Sequence, residues 1–314
     1  MKRKSLLILI LLVGAAWCYL ALVAIPQASV TVERIALTTS PADVGLEFEA
    51  FTISPQDSDL NLEGWWMPAA NARAVLVFIH GGGSNRHSSY FGSLNFYRAM
   101  VDQEISVAVI DLRNHGASGS DERGLQFGRT EKYDALAAIN WARKESPNLP
   151  LFAMGISMGG ATVIHAAAEG AKLDGLILLD ALLDTEDTFK QGVWVETGLP
   201  PALFAVSAWA ATTFYGLPGG DDQALIIAGA LTLPILAIQD PDDPVTRAPY
   251  SSELARQNPR VTLWTAPTID AAHPDLKWKK RWGSHVSAFQ FYPRETVAQI
   301  MAFIDSIIAS SYGN

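Results

Sequence analysis

The stretch Gly155-Ile156-Ser157-Met158-Gly159 sets one serine between two glycines. A serine hydroxyl is a poor nucleophile unless a base takes its proton and nearby N–H groups stabilise the charge that develops. The flanks of this serine suit such a role. Residues 149–154, Leu-Pro-Leu-Phe-Ala-Met, are an apolar run short enough for a buried strand. Residues 160–168 are rich in small residues compatible with a helix. A strand that turns sharply into a helix lifts the serine oxygen above the sheet edge, and glycines remove the Cβ atoms such a turn cannot fit. The serine then stands at a helix N-terminus, whose unpaired N–H groups favour an anion. The same five letters alone are also compatible with a plain Gly-rich turn; the strand before and the helix after favour a nucleophile elbow.

Two upstream segments share this design. Residues 74–79 read as a buried strand that runs into His80-Gly81-Gly82-Gly83. Amides in a glycine run can approach a ligand closely. In an acyl-transfer enzyme such a run supplies one oxyanion donor, and the N–H after the nucleophile, here that of Met158, supplies the other. Taken alone the run reads as a flexible turn. Residues 107–110 form a third apolar strand, followed by the polar turn Asp111-Leu112-Arg113-Asn114-His115-Gly116-Ala117-Ser118-Gly119. Asp111 and His115 precede the serine in the chain, so they are expected to hydrogen-bond the loop beside the site.

The segments HGGG, DLRNHGASG and GISMGG, in this order and spacing, resemble the α/β-hydrolase fold family. The branch they resemble holds esterases, monoacylglycerol-lipase-like and Bem46-like serine hydrolases. The resemblance covers residues 45 to 310. It implies an α/β class, with a mostly parallel central sheet, helices on both faces and a cap insertion. It also implies the chain order serine, acid, histidine. The acid follows a late strand, here residues 233–239, and Asp240, Asp242 and Asp243 compete for it. The family register, Asp before an apolar pair, selects Asp243 ahead of Pro244-Val245. Asp242 and Asp240 are the alternatives and otherwise read as turn formers. The family often has Gly where Asp240 stands, a departure that affects the local turn. For the histidine, Gly283-Ser284-His285-Val286 resembles the family loop, which selects His285. His273 is the alternative, in a stretch with Lys277, Lys279, Lys280 and Arg281 that reads as a solvated insertion. His87 and His165 read as structural.

The resemblance thus implies Ser157 as nucleophile, His285 as general base and Asp243 as its partner. Met158 and Gly82 are the expected oxyanion donors, with Gly83 the alternative to Gly82. No cofactor is expected. No metal is expected either, because His and Cys residues do not cluster at ligand spacing. The leading reading is hydrolysis of small ester or lipid-like substrates. A peptidase or amidase with the same triad and a non-catalytic binding protein on this scaffold are the alternatives.

The remaining elements must hold these residues. Residues 46–53 and 60–66 alternate in polarity and read as an opening antiparallel hairpin. Residues 88–103 and 130–144 read as crossover helices, and residues 294–309 as an amphipathic closing helix. Residues 182–231 interrupt the strand–helix alternation and carry Phe189, Trp194, Phe204, Trp209, Phe214 and Tyr215. They read as a cap, whose aromatics either cover the substrate or pack the cap onto the core. The hydrolase domain is assigned to residues 46–314.

The N-terminus is a separate feature. Lys2-Arg3-Lys4 precedes residues 5–25, which carry no charge. About 20 apolar residues cross a bilayer, whereas a signal peptide's apolar core holds about 7 to 15. No good small-x-small cleavage site follows: Pro26 and Leu22 fall at the critical positions. Residues 1–25 therefore read as an uncleaved signal anchor with a cytoplasmic N-terminus and an extracytoplasmic domain. Secretion after cleavage is the alternative. Residues 26–45 read as a stalk. The lone Cys18 excludes an intrachain disulfide, and a net charge of −9 argues against nucleic acid as partner.

Overall fold

The computed structural model describes residues 2–312; Met1 and residues 313–314, the outer ends of the first and last expected segments, lie outside the described residues. The chain opens on α1 (Lys2–Tyr19), a π-helical turn (Leu20–Ala24) and α2 (Ile25–Val30). Together Lys4–Val30 form one apolar helix, long enough to cross a membrane. The helix passes Ile25, where the span was expected to end. Pro26 has no N–H and crowds the preceding turn, and the π turn just before it accommodates that defect.

The expected stalk, residues 26–45, is corrected by the structure. Val30 is buried with Phe189, Ala208, Ala211 and Leu217. The Arg34 guanidinium donates to the carbonyls of Gly116 (3.1 Å) and Ser118 (2.6 Å) and to the Ser120 hydroxyl. Asn85 Nδ2 donates to Ile35 O (3.0 Å), and a short 3-10 turn spans Pro41–Val44. Apolar burial and an arginine that serves loop carbonyls hold this segment on the domain.

Strands β1 (Glu49–Ile53) and β2 (Leu62–Met67) pair antiparallel. Then follow β3 (Ala74–Ile79), α3 (Ser93–Val101), β4 (Ile105–Ile110), α4 (Lys132–Glu145), β5 (Leu151–Ile156), α5 (Met158–Ala168) and β6 (Gly175–Leu179). Next come α6 (Thr185–Thr197), α7 (Ala205–Phe214) and α8 (Ala224–Ala230). The chain closes with β7 (Ile235–Gln239), α9 (Ala248–Gln257), β8 (Val261–Thr265), α10 (Ala288–Phe291) and α11 (Pro293–Tyr312). The sheet order is β1-β2-β4-β3-β5-β6-β7-β8, parallel from β4 to β8.

Strands β3 to β7 are buried along their whole length, as continuous apolar runs covered on both faces should be. Val75, Val77 and Ile79 face α4, α5, α8 and α9, whereas Leu76 and Phe78 face α3, α10 and α11. From β3 the chain moves outward to β4, then returns to β5 on the other side of β3. That reversal falls at the carboxyl ends of β3 and β5, the place where an open α/β sheet generally binds ligands.

Between β6 and β7 every regular element is helical. α8 packs on α5 and α9 and so belongs to the layer that covers the sheet. α6 and α7 pack on each other and form the projecting cap. Phe189 and Phe204 are buried there, whereas Trp209 and Phe214 are exposed.

Candidate active site

Ser157 alone makes the turn between β5 and α5, with φ +51° and ψ −121°. An L residue held there carries strain on the order of 1–3 kcal/mol. The surroundings leave the backbone little choice. Ser157 N–H donates to Leu179 O (3.1 Å), and Ser157 O accepts from Gly160 N (2.9 Å) and Leu182 N (2.9 Å). A Cβ on Gly155 would strike the backbone of Gly159, and one on Gly159 would strike the carbonyls of Ile79 and His80. The glycines thus let β3, β5 and α5 close on one another, and this closeness aims the serine out of the sheet.

Three loops at the carboxyl edge of the sheet meet at this serine. His285 Nε2 lies 2.9 Å from Ser157 Oγ, and His285 Nδ1 lies 2.7 Å from Asp243 Oδ2. With Nδ1–H donating to the carboxylate, Nε2 presents a lone pair to the serine hydroxyl. Asp243 Oδ1 accepts from Val245 N (2.7 Å) and Thr246 N (2.9 Å), which fixes the plane of the carboxylate. The Thr246 hydroxyl lies 2.9 Å from both Asp243 Oδ2 and Asp180 O, and its single proton serves one of them at a time. Asp243 and His285 are both buried.

The competing residues are elsewhere. Asp242 is exposed; its N–H donates to Asp240 Oδ1 (3.0 Å) and shapes the turn. His273 Nδ1 accepts from Asp275 N (3.2 Å) at the start of a 3-10 segment. His87 Nδ1 meets the Thr39 hydroxyl (2.7 Å), and His165 is buried in α5.

The loop after β3 supplies backbone donors. Gly81 packs against Ser157, and a Cβ there would lie 3.2 Å from Ser157 Cβ. Gly82 approaches Met158, whose sulfur would lie 3.4 Å from a Cβ at that position. Met158 opens α5, so its N–H has no partner one helical turn earlier. Gly83 N–H is already engaged by His115 Nε2 (3.1 Å), so of the two glycines only Gly82 keeps a free N–H among the described residues.

His115 and His80 hold these loops together as neutral rings. His115 Nδ1–H donates to Arg113 O (2.7 Å), and burial, reinforced by the neighbouring His80, lowers its pKa to about 3. His80 Nδ1–H donates to Gly81 O (2.7 Å), its Nε2 accepts from Leu112 N (3.1 Å), and burial lowers its pKa to about 4. Asp111 accepts from Arg86 N (2.7 Å) and Ala117 N (2.8 Å). Asp111 and His115 therefore brace the loops.

With this geometry in view, the comparisons with known proteins are decisive for the fold. A Pyrococcus furiosus esterase superposes with a TM-score of 0.70 at 19% identity, over 88% of this chain and 99% of that one. A family model, Hydrolase_4, described as serine aminopeptidase S33, matches residues 70–218. The chain has the α/β-hydrolase fold. Human monoglyceride lipase is 29% identical over 131 residues, 40% of this chain and 42% of the human protein. Rat monoglyceride lipase is 30% identical over 120 residues, 38% of each chain. The chain thus spans less than half the length of the curated relatives it matches.

One residue beside this site went unnoticed in the sequence. Asp180, at the end of β6 with φ +43°, is fully buried behind the histidine loop. Its oxygens accept from Asp240 N (2.7 Å) and Val286 N (3.0 Å), so it ties the acid turn to the residue after His285. Burial, with Asp243 and Asp240 nearby, pushes its carboxyl well above the usual range. Only its place at a strand end could have flagged it.

Lys279 was read as part of a solvated insertion, and the structure corrects this. It is 1% exposed. Its ammonium donates to Tyr90 O (2.6 Å) and Ser287 Oγ (2.5 Å) and lies 3.5 Å from His285 O. Burial lowers its pKa to about 7, against the pull of Asp180, Asp243 and Asp240. The 3-10 segment Pro274–Trp282 turns this one lysine inward while its neighbours Lys277 and Lys280 stay exposed. The segment also reaches the cap. Arg281 donates to Val195 O (2.7 Å) and Glu196 O (3.0 Å), and the Trp282 ring lies 5.6 Å from the His285 ring. Among the described residues no group of three or more His, Cys, Asp or Glu could hold a metal ion.

Proposed function

We propose that the chain is a membrane-tethered serine hydrolase that cleaves carboxylic esters. The observation that carries this reading is the hydrogen-bonded series Asp243–His285–Ser157 at a strained strand-to-helix turn. Ser157 Oγ attacks the ester carbonyl while His285 Nε2 takes its proton. Asp243 holds the imidazole in the tautomer that leaves Nε2 free, and stabilises the imidazolium. The carbonyl oxygen becomes an oxyanion between the N–H groups of Met158 and Gly82. The tetrahedral intermediate collapses, and His285 returns the proton to the departing alcohol. Water, deprotonated by the same imidazole, then attacks the acyl-enzyme and releases the acid.

The helix Lys4–Val30 supports the tether, and the basic residues before it support a cytoplasmic N-terminus. The named activities of the monoglyceride lipases and the esterase support an ester or lipid-like substrate. The aminopeptidase description of the matching family model favours a second reading, cleavage of an amide bond by the same triad.

A fluorophosphonate probe tests the nucleophile, because it labels only an activated serine. The wild-type chain should be labelled and Ser157→Ala should not; labelling of the folded variant would refute the assignment. Hydrolysis of p-nitrophenyl esters, set against aminoacyl anilides, separates the two substrate readings.

A further inference from the structure

The apolar N-terminal helix does not leave the domain as a free tether. Its last eleven residues, about three turns, are built into the cap. α7 packs against the π turn Leu20–Ala24 and against α2. Ala208 and Ala211 of α7 bury Val30, with Ile25 at the margin of the same cluster. The Tyr215 hydroxyl, just after α7, lies 3.2 Å from Leu22 O and 3.4 Å from Val23 O. Leu22 O is the carbonyl whose usual helical donor, the N–H four residues on, is missing because that residue is Pro26. The proline leaves an acceptor that a cap residue meets, so the contact has a fixed register.

That register sets a depth. At 1.5 Å per residue, roughly 20 residues cover the ~30 Å hydrocarbon core of a bilayer. Counted from the basic N-terminus, such a span begins at Ser5 and ends at Ala24. Leu22 and Val23, which Tyr215 touches, then lie at the outer boundary of the hydrocarbon. Tyrosine and tryptophan favour this boundary. The cap helix must lie beside it, because it is packed on the same turn. On that helix and its approach, Leu199, Leu203, Val206, Trp209 and Phe214 are each 47–65% exposed. Trp209 and Phe214 meet edge to face, 5.5 Å apart. A large apolar patch open to water is unfavourable, and lipid removes that penalty.

We propose that this face of the cap docks into the interfacial layer of a phospholipid bilayer, held at that depth by residues 20–30. The inference rests on the reading of the N-terminal helix as membrane-spanning. It adds that the helix orients the hydrolase, and sets the cap rather than the far side of the domain against the lipid. An ester that partitions into the bilayer would then reach the domain on its cap side.

The test uses the full chain in phosphatidylcholine vesicles. Cys18→Ser removes the single cysteine. A polarity-sensitive thiol probe is then placed by Leu9→Cys in the span, by Val206→Cys on the cap, or by Arg256→Cys on α9. Lipids with a nitroxide near the headgroup quench probes that lie in the interface. Quenching at 206 several-fold above that at 256 is expected, together with a blue-shifted emission. Deep-nitroxide quenching at 9 with none above the 256 control at 206 would overturn the cap docking and leave the anchor standing. Absence of quenching at 9 would refute the anchor itself, and the docking with it.

Discussion

Replacing Asp243 by asparagine should abolish turnover through the tautomer of His285, for a reason visible in the hydrogen bonds. Asp243 Oδ1 accepts from Val245 N and Thr246 N, and Oδ2 faces His285 Nδ1. An asparagine has one acceptor oxygen and one NH2 group to put in these two places. With NH2 against Val245 and Thr246, two hydrogen bonds worth ~1 kcal/mol each would be lost, and buried donors would face each other at a further ~1–3 kcal/mol. The opposite orientation gives up the bond from His285 and an acceptor for the Thr246 hydroxyl, whose proton can go to Asp180 O instead, so it wins by roughly 3 kcal/mol, a factor above one hundred. The amide NH2 then faces Nδ1, which must become the acceptor. The ring proton moves to Nε2 and points at Ser157, 2.9 Å away, where a base is needed. The turnover number should fall about 10⁴-fold, or ~5.4 kcal/mol, with KM little changed. Steady-state hydrolysis of a p-nitrophenyl ester reads both constants. Asp242→Asn is the control, since that side chain is exposed, and should behave as wild type. An Asp243→Asn enzyme within about tenfold of wild type would refute this reasoning, given the size of the effect in such triads. So would equal damage from Asp242→Asn.

Acid should destabilise the fold through His80. Its folded pKa of about 4 lies below the unfolded value of ~6.5, so the unfolded chain takes up a proton that the native ring refuses. The stability this neutral ring contributes is full above pH ~6.5 and falls as the pH drops toward 4, by ~2 kcal/mol at pH 5. Urea unfolding at pH 7 and 5 should show His80→Gln losing less than wild type by about that amount. Lys279→Met removes the ammonium that links Tyr90 O and Ser287 Oγ beneath the histidine loop. Its turnover number should drop about tenfold, ~1.4 kcal/mol, at constant KM; an unchanged turnover number would mean the loop holds its position without the lysine. Arg281→Ala frees the carbonyls of Val195 and Glu196 at the end of α6, and amide exchange there should speed up while β5 stays protected.

What the sequence determines here is local. The runs at 74–79, 107–110 and 149–154 are apolar without alternation, as strands covered on both faces are, and β3, β4 and β5 form there, β5 two residues later than its run, at Leu151–Ile156. Gly155 and Gly159 mark the sharp turn at Ser157 because a Cβ at either would meet backbone. Element ends are less legible. The helix expected from residue 88 starts at Ser93, since Ser88 O first accepts from Phe91, Gly92 and Ser93 N–H in a turn that ends at Gly92, φ +77°. Contacts between distant segments belong to the tertiary structure alone. Three aspartates share one turn, and only the packing of β7 against the histidine loop decides that Asp243 faces His285 while Asp242 faces solvent. A lysine among basic neighbours reads as surface, yet Lys279 is buried because Tyr90, far from it in the chain, and Ser287, eight residues on, offer oxygens where its ammonium ends. Asp180 looks like a strand terminus until Asp240 and Val286 N–H converge on it. The segment after the apolar helix looked like a stalk because hydropathy cannot report that Val30 has partners in residues 189–217. Periodicity and turn chemistry are written in neighbouring residues; which side chains share a buried space is set when the sheet closes and brings remote loops to one edge.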